Sequence, residues 1–216
     1  MVLISHRYKF IYIKNYKVAG TSVEAYFEKY CLDPSNNYKL THSRKQSISE
    51  YGIVGNRLGV SPDEKDVNIH IGPHMSANDV KSIIGEDIFN SYFKFCVIRN
   101  PYDRMVSSYY FRGAKVSFAD YVKKTIGTPK PEKTDYNRYL IDNKPCIDFY
   151  IRYEHLEKDL ETVCKKLNIE YDISRLPSFK SNIRKDKEYR KYYNEELKQI
   201  IYENHKAEFE LHGYQF

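Results

Sequence analysis

One stretch, residues 9–24, constrains the fold of this chain more than any other. It opens with an aromatic and β-branched run, Phe10-Ile11-Tyr12-Ile13, which is typical of a buried β-strand. Four apolar side chains then recur at positions i, i+3, i+4 and i+7 and so share one helix face: Val23, Tyr26, Phe27 and Tyr30. The stretch therefore predicts a strand followed, after a short turn, by an amphipathic helix.

The turn between this strand and this helix has the composition of an anion-binding loop. It consists of Lys17, Val18, Ala19, Gly20, Thr21 and Ser22. Small residues at its centre let the backbone approach a ligand closely, and the first turn of a helix offers unpaired N–H groups. Thr21 or Ser22 is suited to be the N-cap of the helix. We expect a phosphate or sulfate group to bind at this turn.

Length, charge and cysteine content narrow the class of protein. With 216 residues the chain is long enough for a substantial core, and we expect a single domain over residues 1–216. The net charge of +6 suits an anionic partner, which could be a nucleotide, an acidic glycan or a nucleic acid. The four cysteines lack metal-ligand spacing and are expected to be reduced. No signal peptide or membrane-spanning apolar run is visible, which favours a cytoplasmic location.

Two further strand candidates, Phe93–Ile98 and Asp148–Tyr153, are each followed by a helical pattern, and Val67–Ile71 is a shorter candidate. Residues 1–8 are interpreted as a lead-in and 38–65 as a long surface loop. Strands that alternate with helices favour right-handed crossovers and parallel pairing. We therefore expect an α/β fold, a single P-loop-like domain with a central, mostly parallel β-sheet flanked by helices.

A second group of polar residues follows the second of these strands. Arg99 lies directly after the strand, and Asn100 as N-cap with Pro101 at the first helical position specifies a helix start. Ser107 then lies about two turns into the helix. Ligands of parallel sheets bind at the carboxyl ends of the strands, where both Lys17 and Arg99 fall. An ordinary ion pair with a neighbouring acid is the alternative role for Arg99.

These two motifs, in this order, resemble those of sulfotransferases that use 3′-phosphoadenosine 5′-phosphosulfate (PAPS), in the branch with bacterial and carbohydrate sulfotransferases. The resemblance rests on the lysine ahead of Ala-Gly-Thr-Ser and on the later Arg-Asn-Pro-x-Asp-Arg-x-x-Ser-x-Tyr. It continues through Tyr153–Asp159 to Phe209–Tyr214. Tyr16 and Val18 depart from it, since relatives often have Pro and Thr or Gly there. The phosphate-loop NTPase pattern differs, because its lysine follows the second glycine.

The resemblance implies a role for each site residue. Lys17 to Ser22 would grip the 5′-phosphosulfate, with Lys17 also acting in catalysis on the oxygen between phosphorus and sulfur. Arg99 and Ser107 would bind the 3′-phosphate, for which the planar fork of arginine is suited. Arg184 would belong to a late basic loop over the nucleotide. The product would be adenosine 3′,5′-bisphosphate (PAP), and no metal is expected.

The acceptor hydroxyl requires a base, and the resemblance points to His74 in the sequence His-Met-Ser-Ala. This histidine precedes a capping box formed by Ser76 and Asp79, so it lies in a turn ahead of a helix. Histidine accepts a proton near neutrality without large tuning. His70 and Glu24 are the alternatives for the base, and capping of the helix is the alternative role for His74.

The sequence leaves the acceptor open among sugar, tyrosine, lipid and small-metabolite hydroxyls, with a glycan or small molecule as our expectation. It favours neither a nucleic-acid partner nor an integral membrane segment, and it says nothing of oligomeric state. Two other functions stay open. One is a nucleotide-dependent phosphotransferase. The other is a non-catalytic module that binds an anionic glycan or nucleic acid through the basic stretch 180–191.

Overall fold

The computed structural model describes residues 2–57, 70–127, 135–179 and 188–216. The chain forms two compact units. The first comprises residues up to 98 and 137–179, and the second comprises 99–136 and the residues from 180 onward. Most of the strand expected at 67–71 lies outside the described residues.

The strands all belong to the first unit. They are β1 (Leu3–Ser5), β2 (Phe10–Ile13), β3 (Ser47–Ser49), β4 (Gly52–Val54), β5 (Phe93–Ile98), β6 (Leu140–Ile141), β7 (Lys144–Pro145) and β8 (Phe149–Arg152). Six of them form one sheet in the order β3-β4-β1-β2-β5-β8, and β6 pairs with β7 in a separate hairpin. The strand predictions around β2, β5 and β8 are thus confirmed.

The large sheet is mixed. The pairs β2–β5 and β5–β8 are parallel, as predicted, whereas β1–β2, β1–β4 and β3–β4 are antiparallel. The connection from β1 to β2 and that from β3 to β4 are only a few residues long, too short for the crossover that parallel pairing needs. The expected mostly parallel sheet is therefore found only in β2, β5 and β8. The predicted lead-in at 1–8 in fact contains the strand β1, and the predicted loop at 38–65 contains β3 and β4.

The helices are α1 (Gly20–Phe27), α2 (Ala77–Ile84), α3 (Glu86–Ser91), α4 (Pro101–Phe111), α5 (Phe118–Ile126), α6 (Asp135–Arg138), α7 (Leu156–Lys166), α8 (Glu195–Asn204) and α9 (Lys206–His212). Short 3-10 turns occupy Glu28–Cys31, Tyr153–His155, Ile173–Arg175 and Tyr189–Tyr192. In the described part of the chain, no helix combines the length and apolar character needed to cross a bilayer.

The core of the first unit forms where α1 and α7 bury their apolar faces with the sheet. The predicted burial of Val23, Tyr26 and Phe27 is confirmed. The helix is not amphipathic as expected, because every residue of α1 except Thr21 is buried, and Tyr30 lies beyond it in a 3-10 turn. Phe27 packs edge-on against Phe95 of β5, with ring centroids 5.0 Å apart. Burial of such rings is a main source of stability. The packing of Phe27 against Phe95 fixes where α1 begins relative to β2. It thereby fixes the shape of the loop between them.

The prediction that Thr21 or Ser22 caps α1 is wrong. The N-cap is Ala19, which adopts the left-handed conformation, and no side chain caps the helix. The Thr21 hydroxyl instead accepts a hydrogen bond from Lys14. A neighbouring cation has thus taken the hydroxyl that the local sequence offered for capping.

The second unit contains α4, α5, α8 and α9 around an aromatic core that includes Tyr102, Phe118 and Phe209. The predicted start of α4 is confirmed, since the Asn100 side chain accepts from the Tyr102 backbone N–H at 3.0 Å. The expected last helix is divided at His205 into α8 and α9.

Candidate active site

The loop between β2 and α1 is held in an unusual backbone conformation. Lys17 and Ala19 both adopt left-handed values, with φ of 56° and 60°. For residues other than glycine, each such conformation costs about 1–3 kcal/mol and persists only where the surroundings enforce it. Strain of this kind clusters at ligand-binding sites. The Lys17 side chain is half-buried. Its direction is therefore set by the strained backbone of the loop.

Gly20, the first residue of α1, is packed closely against neighbouring side chains. A Cβ atom added there would lie 3.0 Å from the Lys14 side chain and 3.2 Å from the Tyr12 hydroxyl. That hydroxyl donates to the Gly20 carbonyl at 3.1 Å. Because α1 has neither a side-chain cap nor an acidic residue in its first turn, its N-terminus suits an anion.

A buried charge cluster lies directly beneath this loop. Lys14, at the end of β2, contacts the Glu24 carboxylate at 2.6 Å and the Thr21 hydroxyl at 3.0 Å. Arg57 contacts the other Glu24 oxygen at 2.9 Å. Burial opposes ionisation of Glu24, but nearby positive charges, which include those of Lys14 and Arg57, hold its pKa below the ordinary value. Glu24 is therefore an ionised anchor between β2 and α1, and this geometry does not favour it as a general base.

We expect Glu24→Gln to reduce the loss of folding free energy that occurs as the pH is lowered. Because the folded-state pKa of Glu24 is lowered, its ionised form stabilises the native state above about pH 4.5, and this contribution is lost as pH falls through the lowered pKa. Urea unfolding between pH 7 and 3 should show a flatter decline for Glu24→Gln than for wild type. The exposed Glu161 of α7 provides the control, and equal slopes for wild type and Glu24→Gln would contradict the assignment.

The structure brings His74 to the same loop. Its Nδ1 lies 3.1 Å from the carbonyl oxygen of Lys14, so Nδ1 carries the hydrogen and Nε2 keeps its lone pair in the neutral ring. Burial, together with nearby positive charges that include Lys14 and Arg138, lowers the pKa of His74 to about 2. His74 also has a left-handed backbone, with φ of 62°. The imidazole is thus neutral and oriented, but its lowered pKa makes it a weaker base in this structure than the sequence led us to expect.

Two side chains that were not predicted from the sequence contact His74. The Tyr16 ring stacks on the imidazole with centroids 3.8 Å apart, and Arg138 donates to the His74 carbonyl oxygen at 3.1 Å. Lys14 and Arg57 were also not predicted. A charged residue directly after an apolar strand, such as Lys14 after β2, only weakly predicts a buried ion pair. For Arg57 and Arg138, which are distant in sequence from the loop, we find no signal.

The predicted pair Arg99 and Ser107 belongs to the second unit. The Arg99 Nε and Nη2 atoms each lie 2.7 Å from the same Asp103 oxygen, so the alternative ion pair does form. Asp103 and Ser107 are four residues apart on α4 and hence neighbours on one helix face. Arg184 lies outside the described residues, and the alternative base His70 is exposed.

The fold and this loop define an α/β protein in which a strained turn joins a strand to an uncapped helix N-terminus, a local arrangement that suits an anion. The chain matches the sequence profile of the Sulfotransferase family over residues 1–215, and it belongs to that family. Sulfuryl transfer in general is thereby its activity class. It is also similar to an uncharacterized protein of Archaeoglobus fulgidus, 29% identical over 122 residues, which covers 54% of this chain and 98% of that protein.

Proposed function

We propose that this protein transfers a sulfuryl group from PAPS to a hydroxyl group of a carbohydrate acceptor. The observation that carries the proposal is the strained loop that contains Lys17 and Ala19. This loop leads into α1 and lies beside the oriented imidazole of His74. Family membership over essentially the whole chain supports the reaction type. The choice of PAPS and of a carbohydrate rests on the sequence resemblance.

The residues of the loop fit a phosphosulfate group. Backbone N–H groups at the start of α1 lack a side-chain cap, and Gly20 lets this turn pack closely against Lys14 and Tyr12. Lys17 to Ser22 would hold the 5′ end of the nucleotide, and Arg99 with Ser107 would hold the 3′-phosphate. Arg184 is proposed as a further contact on the resemblance alone. When bound, PAPS supplies an activated sulfuryl group and a phosphate leaving group.

Lys17 and His74 divide the catalytic work in this proposal. The Lys17 ammonium stabilises negative charge that grows on the leaving phosphate oxygen only as the bond to sulfur breaks, which lowers the barrier selectively. His74 Nε2 takes the proton of the acceptor hydroxyl as its oxygen bonds to sulfur. Burial and nearby positive charges lower the pKa of His74, so the proposal requires that the negative charge of a bound donor would raise this pKa again.

The proposal predicts selective stabilisation by PAP. At a ligand concentration near 100 times Kd, PAP should add about 2.7 kcal/mol to the free energy of unfolding, which raises Tm by roughly 5–10 °C. AMP, and ATP with magnesium, should raise it far less. Arg99→Ala should lose most of the shift with PAP, because the 3′-phosphate loses its guanidinium partner. Thermal unfolding with and without each ligand measures this.

Arg112→Ala is the matched control, since it removes the same charge from an exposed position at the end of α4. Ligand-induced shifts are compared within each variant, so that a change in intrinsic stability cancels. A clear shift with ATP and magnesium but none with PAP would overturn the proposal in favour of a phosphotransferase. No shift with any of the three would favour the non-catalytic binding module.

A further inference from the structure

The ring of Tyr16 covers His74, although Tyr16 is itself 41% exposed. The two ring planes are inclined by only 22°, with centroids 3.8 Å apart, which is a stacked arrangement. Arg138 lies 4.1 Å from the centroid of the same tyrosine ring, within the range of a cation–π contact. Its Nε also donates to the carbonyl oxygen of His74 at 3.1 Å. Arg138 therefore contacts both the histidine backbone and the ring that stacks on the imidazole.

These contacts restrict the imidazole in complementary ways. The hydrogen bond from Nδ1 to the Lys14 carbonyl fixes one edge of the ring, while the stacked Tyr16 ring fixes its plane. The Arg138 hydrogen bond holds the left-handed backbone from which the side chain departs. With edge, plane and backbone all held, the direction of the Nε2 lone pair is determined. An exposed tyrosine contributes little to a core, and the aromatic ring at position 16 contacts both His74 and Arg138.

We propose that Tyr16 and Arg138 form a brace, the Tyr16–Arg138 brace, that positions His74 for proton transfer from the acceptor hydroxyl. The proposal rests on the function proposed above, in which His74 is the base. Tyr16 and Arg138 are positioning residues in it, because they act on the reaction through His74. General base catalysis demands that donor and acceptor atoms meet in a narrow range of distance and angle, and small displacements reduce the rate strongly.

Three groups among the described residues bear on the charge state of this imidazole. They are Lys14 from the end of β2, Arg138 from α6 and Tyr16 from the loop. Both cations favour the neutral ring, and the stack limits access of water to it. Loss of the Tyr16 ring should therefore loosen the ring orientation and raise the pKa of His74.

The test compares Tyr16→Leu, which removes the stack, with Tyr16→Phe, which keeps an aromatic face. We expect Tyr16→Leu to lower kcat by about 10- to 100-fold at unchanged KM for the donor, and Tyr16→Phe to retain most of the rate. In ¹⁵N-histidine NMR, Tyr16→Leu should shift the His74 signals toward mixed tautomers and a higher pKa. His74→Gln identifies these signals among the seven histidines. Tyr202→Leu, at a similarly exposed tyrosine of α8, is the control.

The two readouts separate failure of the brace from failure of the proposed function. If the protein transfers no sulfuryl group, the NMR comparison still decides whether Tyr16 orients His74. Unchanged His74 signals in Tyr16→Leu would overturn the brace, as would an equal loss of rate in Tyr16→Phe and Tyr16→Leu. A loss of rate that appears only as weaker PAP binding would assign Tyr16 to the nucleotide site instead.

Discussion

Replacement of Lys17 by methionine is expected to lower kcat for sulfuryl transfer by about 100- to 1000-fold. This is the usual effect of removing one group that stabilises charge in the transition state. Methionine keeps most of the length of the side chain and faces the same backbone strain at φ of 56°. Since the charge on the bridging oxygen grows mainly in the transition state, affinity for PAP should fall much less than kcat. Steady-state kinetics and PAP titration measure the two quantities.

Lys165→Met is the matched control for Lys17→Met. Lys165 is an exposed residue of α7, so the control changes the net charge equally without touching the loop. It should leave kcat unchanged. A Lys17→Met protein that loses PAP binding as strongly as turnover would assign Lys17 to ground-state binding, and one that turns over normally would remove it from the catalytic group.

Arg104→Met is expected to lower the free energy of unfolding by about 3–5 kcal/mol, the typical cost of leaving buried charges without a partner. In the second unit, Arg104 contacts Asp135 at 2.8 Å and Glu208 at 2.7 Å. Burial opposes ionisation of Glu208, but Arg104 and His205 hold its pKa well below the ordinary value. Without the guanidinium, two buried carboxylates lose their main counter-charge. Urea unfolding at pH 7 measures the loss.

A second variant separates uncompensated charge from lost packing. Adding Glu208→Gln to Arg104→Met removes one of the two buried charges and should recover part of the stability. If the double variant is less stable than Arg104→Met alone, packing rather than charge explains the effect. Lys123→Met provides the surface control, since its ion pair with Glu196 is exposed on both sides and should matter far less.

The sequence patterns that predicted structure correctly each involve residues that are close together in the sequence. The inner face of α1, the capping box of Ser76 with Asp79, and the start of α4 at Asn100 depend on residues within one or two helical turns. The strand at Phe93–Ile98 is long and apolar enough to be identified alone. Strands of three residues, such as β1 and β4, are too short to show a periodicity, which is why the antiparallel part of the sheet was not expected.

The sequence by itself determined the order of strand, loop and helix around Lys17. It also supplied the candidate active-site residues. Only the tertiary structure decided that Ala19 rather than Thr21 is the N-cap of α1, because the Thr21 hydroxyl accepts a hydrogen bond from Lys14. It also decided that Tyr16 and Arg138 meet at His74. Helix propensity and periodicity act between neighbours, whereas the orientation and charge state of a side chain depend on groups that are brought together only when the chain folds.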